Sequence, residues 1–149
     1  MSSLPAVSTA PASTSIDLFA AFATNEKLEI EGTLTQIPGA GDTEFLVARG
    51  GNKHYNRLIQ KLVKQNKFVL DSKGDTAEAK SDEIFIQVLA KTVLLGWNGT
   101  INIRGVATPY SYDAAVRLLE LKEFRIALNK VADDMQTFKA VKDEEDAKN

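Results

Sequence analysis

EFLVARGGNKHYNRLIQKLVKQN, residues 44–66, holds a strand pattern, a corner and a helix pattern in one stretch, and its reading decides the fold class. EFLVAR, residues 44–49, reads as a β-strand. Gly50 and Gly51 break it, and Asn52 is a good helix cap because its side-chain oxygen can accept from free N–H groups of a first turn. From Lys53 onward the apolar residues are Tyr55, Leu58, Ile59, Leu62 and Val63, whose spacings of three and four put them on one stripe of a helix reaching about residue 66. Upstream, residues 28–36 alternate: Leu28, Ile30, Gly32 and Leu34 fall on one face and Glu29, Glu31, Thr33 and Thr35 on the other. A period of two predicts a half-buried strand. With PGAGD at 38–42 as the turn, residues 28–49 are expected to form a β-hairpin. A lone hairpin is marginal in water, so its apolar face should pack on the helices that follow.

Working outward, IDLFAAFA at 16–23 suits a short apolar helix capped by Ser15. Residues 71–74 read as a loop. Asp75 with Glu78 has the form of a capping box, opening a helix to about residue 95 with a wide stripe of Ile84, Phe85, Val88, Leu89, Val93 and Leu94. Gly96 is expected to end it. Residues 97–110 are turn-rich, with 101–103 extended. Ser111 should cap a short helix over 114–121, with Asp113 near its positive end. A last helix is expected over 123–141, where Phe124, Leu128, Val131, Met135 and Phe138 step four, three, four, three, a heptad-like seam. The expected architecture is α+β: an N-terminal β-hairpin packed on a mostly helical domain of about four helices. The expected organisation is a disordered Ser/Thr/Ala/Pro-rich tail (1–15), one domain (16–141) and a charged tail, KDEEDAKN (142–149).

The chain has 149 residues, enough for a substantial core without disulfide or metal support. Cysteine is absent, which removes disulfides, thiolate nucleophiles and cysteine-ligated zinc. The single histidine, His54, has no Asp or Glu three or four residues on, so a metal site is not expected and a surface role is. A net charge of -2 argues against a general nucleic-acid binder. Lys53, Arg57, Lys61, Lys64 and Lys67 form a basic stripe that could touch phosphates, but a solvated helix face is the simpler reading. The glycines at 39, 41, 50 and 51 match no phosphate-loop pattern. No apolar run approaches the ~20 residues that cross a membrane, and residues 1–15 lack the features of a signal peptide. Asn98-Gly99-Thr100 matches the glycosylation sequon, here read as chance. The carboxylates Glu26, Glu29, Glu31, Asp82, Glu83, Asp133 and Asp134 show no paired acid–base pattern. The chain is therefore expected to bind another protein rather than to catalyse a reaction, and no cofactor is expected.

The seam Phe124, Leu128, Val131, Met135 and Phe138 has two readings. It is either the core face of the last helix or a docking groove left open for an apolar helix. Trp97 and Tyr110, aromatics beside turns, are further candidates for partner contact.

The order of signals resembles a specific family. EKLEIEG, then ARGGNKHYNRLIQKL, LAKTVLLGWNG, TPYSYDAAVRLLE and FRIALNKVA, spread over residues 17–140, look like the phage tail assembly chaperones encoded near the tape-measure gene of long-tailed phages and prophages. Arg49, Asn52, Lys53 and Tyr55 match the pattern after the hairpin. Val93-Leu94-Leu95-Gly96-Trp97 and Pro109-Tyr110-Ser111 match too, although Gly96 stands where relatives carry an acidic residue. The resemblance implies a protein of the host cytoplasm that coats the tape-measure protein, keeps it soluble and recruits tail-tube protein subunits, with self-association left open. Two competing readings are a minor tail or connector protein retained in the virion and a small nucleic-acid-binding regulator using the basic stripe.

Overall fold

In the computed structural model, which describes residues 15–139, the chain is an α+β protein. Both expected tails lie outside the described residues, apart from Ser15. The elements run α1 (Leu18–Phe22), α2 (Glu26–Glu31), β1 (Thr33–Thr35), β2 (Phe45–Val47), α3 (Lys53–Gln65), α4 (Lys67–Asp71), α5 (Gly74–Thr92), β3 (Leu94–Trp97), β4 (Thr100–Ile103), β5 (Val106–Pro109), α6 (Tyr112–Leu119) and α7 (Lys122–Asp133), then a 3-10 turn (Met135–Phe138). Four of these helices, α3, α5, α6 and α7, have eight residues or more; α1, α2 and α4 are shorter.

The hairpin exists but is shorter than its alternation implies. Residues 26–31 are helical, not extended. Asn25 caps them, its side chain accepting from Lys27 N–H at 3.0 Å and Leu28 N–H at 3.2 Å, and Glu26 and Glu29 in the first turn favour the helix N-terminus. Gly32, at φ 93, ends α2 in a conformation that suits glycine, and its N–H donates to the Leu28 carbonyl at 2.9 Å. The phase of β1 is also reversed: Thr33 is buried and Leu34 faces outward. The strands pair antiparallel, Thr33 opposite Val47 and Thr35 opposite Phe45.

The hairpin gains a third strand that the helical pattern conceals. The run Val93-Leu94-Leu95-Gly96-Trp97 does not extend α5. It turns into β3, with Leu94 opposite Val47 and Trp97 opposite Phe45. Thr92 Oγ1 donates back to the Val88 carbonyl at 2.7 Å in the last turn, and Ala48 N–H donates to the Val93 carbonyl at 2.8 Å. The sheet order is β1-β2-β3. Gly96 therefore lies mid-strand against Leu46 and ends no helix.

Three other local expectations change. The cap of α1 is Asp17, not Ser15; its carboxylate accepts from Phe19 N–H at 3.0 Å and Ala20 N–H at 3.4 Å. The Asp75–Glu78 capping box does not form, because α5 starts at Gly74 after Lys73, whose side chain makes no cap bond. Just upstream, Lys67–Asp71 makes a short helix braced by the exposed Lys67–Asp71 ion pair at 2.7 Å. Residues 100–109 form a tight hairpin, with Arg104 at φ 53 and Gly105 at φ 85 supplying the two positive angles of its turn.

Helix α5 is the centre of the packing, with Ile84, Val88, Leu89 and Ala90 buried among α3, α4, α6 and β3. The core joins Phe45 and Val47 of β2, Leu94 of β3, Ala115 and Leu119 of α6, and Leu128 and Ala132 of α7.

Candidate functional site

The expected seam of the last helix is not a single helical stripe. Helix α7 stops at Asp133, and Asp134 turns the chain, its carboxylate accepting from Gln136 N–H at 2.9 Å to start the 3-10 turn. Thr137 Oγ1 donates to the Val131 carbonyl at 3.0 Å and fixes the bend. Met135 and Phe138 therefore do not continue the face that carries Leu128. Leu128 and Phe138 are both fully buried, at 0% exposure, so in this fold they pack the interior. Phe124 and Val131 are half-buried against the core, and Met135 is half-buried in the turn.

The structure joins three of the predicted residues through a fourth that sequence reading did not select. Phe45 lies 6.0 Å from the Phe124 ring and 6.1 Å from the Trp97 ring, and Trp97 meets Tyr110 edge-on at 5.1 Å. The Trp97 indole N–H donates to the Thr108 carbonyl at 3.2 Å, and the Tyr110 hydroxyl to the Leu94 carbonyl at 3.4 Å. Burial, then the neighbouring Tyr112, raises the Tyr110 phenol above its ordinary value. This chain of rings ties the β4–β5 hairpin to the main sheet.

The residues after the hairpin also have structural work. Arg49 pairs with Glu29 at 3.0 Å, reaches the Asp133 carbonyl at 3.4 Å and lies 5.6 Å over the Phe138 ring. Asn52 is buried with four hydrogen bonds. Its oxygen accepts from His54 and Tyr55 N–H at 2.9 and 3.0 Å, and its amide donates to the Arg49 and Thr92 carbonyls at 2.8 and 3.1 Å. Burial, then the negative Asp133, raises the Tyr55 phenol.

The surfaces left open lie elsewhere. On and beside α1, Ile16, Leu18, Phe19 and Phe22 are 73%, 67%, 85% and 66% exposed. The C-terminal end of the described chain holds that segment in place. Lys139 Nζ donates to the Ala21 and Ala20 carbonyls at 2.6 and 3.2 Å, Asn25 N–H donates to the Phe138 carbonyl at 2.8 Å, and Thr24 bridges to Lys139. A second feature is an open groove of about 590 Å³ between α5 and α6. The sequence signal for α1 was its density of apolar residues, but a short apolar helix reads equally well as core. Among the described residues, no group of three His, Asp or Glu side chains comes close enough together to hold a metal ion, and no helix is long and apolar enough to cross a membrane.

The sequence profile of a family described as YdaY prophage protein matches residues 50–149, the larger part of the chain. No curated protein and no solved structure matches it.

Proposed function

Since the chain belongs to the YdaY prophage protein family, we propose that it is a prophage tail assembly chaperone. In this reading it binds the tape-measure protein in the host cytoplasm, keeps it soluble and recruits tail-tube protein, without catalysing a reaction and without a cofactor.

The observation that carries the reading is the open apolar segment at α1. No residue of α1 is buried, yet four large apolar side chains within seven residues stand in solvent. Contiguous exposed apolar surface marks an interaction site, and an apolar helix docking against the stripe of another helix is a recurring mode of recognition. Covering those four side chains supplies on the order of 5–10 kcal/mol gross. Lost rigid-body freedom and side-chain ordering offset most of it. The result is a weak, reversible grip, as a holder that must later leave requires. The likeness of ARGGNKHYNRLIQKL and its companion motifs to tail chaperones gives the reading its second support.

Co-expression with the tape-measure protein of the same prophage tests it. The wild-type chain is expected to raise the soluble fraction of that protein, and Phe19→Ser/Phe22→Ser is expected to abolish the gain while keeping the wild-type circular dichroism spectrum. No gain from the wild type overturns the proposal, as does recovery of the chain at structural stoichiometry in purified virions.

A further inference from the structure

Two features outside the α1 surface complement each other. The groove between α5 and α6 has an apolar floor of Ile86, Val116 and Tyr112 and a rim of Asp82, Asp113 and Glu120. Among the described residues these three carboxylates form no ion pair. At the corner joining α3 to α4, Phe68 is 90% exposed, the most exposed large apolar side chain among the described residues, and Val63 is 45% exposed. The helix leading into that corner carries Lys53, Arg57, Lys61 and Lys64 and no acidic residue. Lys67 is already paired with Asp71, whereas Lys61 and Lys64 form no ion pair among the described residues. One surface is thus an aromatic knob beside cations, and the other an apolar slot whose three unpaired carboxylates outnumber one nearby cation, Lys91, 5.8 Å over the Tyr112 ring.

We propose that a second copy of this chain seats its Phe68 corner in the α5–α6 groove. The apolar contact supplies affinity, and the opposed charges fix orientation and speed encounter. Knob and groove share no residue, although Asp82 and Val63 adjoin, so two copies can exchange the contact reciprocally, or a copy that has given its knob can offer its groove to a third. Contacts of the second kind close into rings or run on as filaments. This inference does not rest on the chaperone reading.

Sedimentation velocity on the full chain tests it. The wild type is expected to associate as concentration rises at about 50 mM salt, and to weaken toward monomer at about 0.5 M, where screening is strong. Phe68→Glu and the double variant Asp82→Lys/Glu120→Lys change only exposed residues and should each weaken self-association by about ten- to hundredfold or more. The decisive measurement mixes the two variants. Phe68→Glu keeps a working groove and the double variant keeps a working knob, so the mixture should form a 1:1 complex that grows no further. A wild type that stays monomeric at low salt overturns the proposal, and so does a Phe68→Glu variant that associates as the wild type does. A mixture that forms no 1:1 complex while the wild type associates also overturns it.

Discussion

Asn52 joins the start of α3 to the end of α5 by donating from its side-chain amide to the Thr92 carbonyl across 3.1 Å of buried space. The same side chain caps α3 through its oxygen. Asn52→Ala removes a cap, at about 1 kcal/mol, and strips the Thr92 carbonyl of a partner, at about 1–3 kcal/mol. We expect a loss of about 2–4 kcal/mol in denaturant titration. Asn52→Asp separates the two roles, because it keeps the cap acceptor and turns the donor into a charge facing carbonyls. It should be at least as harmful as Ala. An Asp variant as stable as the wild type would show that the amide donor is dispensable.

Leu128 decides between packing and partner contact on the last helix. At 0% exposure, Leu128→Ala should cost about 2–5 kcal/mol. Leu128→Asp should leave no cooperative thermal transition in circular dichroism, because a buried charge has no partner there. If Leu128→Asp folds normally, α7 is not packed as described.

Arg49 holds the clasp that presents α1. Arg49→Lys keeps the charge but loses the planar fork that reaches both Glu29 and the Asp133 carbonyl and lies over Phe138. The Glu29 pair is partly exposed, so its own contribution is about 1 kcal/mol or less. The larger effect is expected to be local. Amide exchange at Asn25, whose N–H meets the Phe138 carbonyl, should speed up several-fold with little change in global stability. Unchanged exchange at Asn25 would remove Arg49 from this role.

Alkaline pH should loosen the fold. Tyr55 and Tyr110 have phenols raised above the ordinary value by burial. A phenol that titrates higher when folded stabilises the fold fully below its unfolded value near 10. That stability is lost as pH climbs from about 10 through the folded value, since the unfolded chain releases its protons first. Denaturant midpoints should therefore hold up to about pH 9 and fall above pH 10. Tyr55→Phe should flatten part of that fall. A midpoint independent of pH up to 11 would contradict the burial of both rings.

Much of this fold was legible in short-range signals. Helix α3 begins where Asn52 caps it and carries the predicted apolar stripe, and Ser111 caps α6 as expected, accepting from Ala114 N–H at 3.0 Å. Cap chemistry acts over three or four residues, so neighbours in sequence suffice to specify it. The candidate site was less legible. Leu128 and Phe138 were visible as apolar and periodic, yet periodicity records only that a side chain prefers to leave water, not whether its own fold or a partner receives it.

By itself, the sequence determined the α+β class, the caps of α3 and α6, the stripe of α3 and the absence of cysteine chemistry. Only the tertiary structure decided that Val93-Leu94-Leu95-Gly96-Trp97 would leave its helix to pair with β2; it also showed that residues 26–31 are helical and that the last helix breaks at Asp134. Residues 26–31 and the break at Asp134 turn on the side-chain caps Asn25 and Asp134, whereas the apolar run Leu94–Trp97 suits helix and strand almost equally, propensities differing by less than about 1 kcal/mol per residue. Pairing partners far along the chain settle such ties. The same holds for exposure: α1 and Phe68 stand in solvent because the core closes without them.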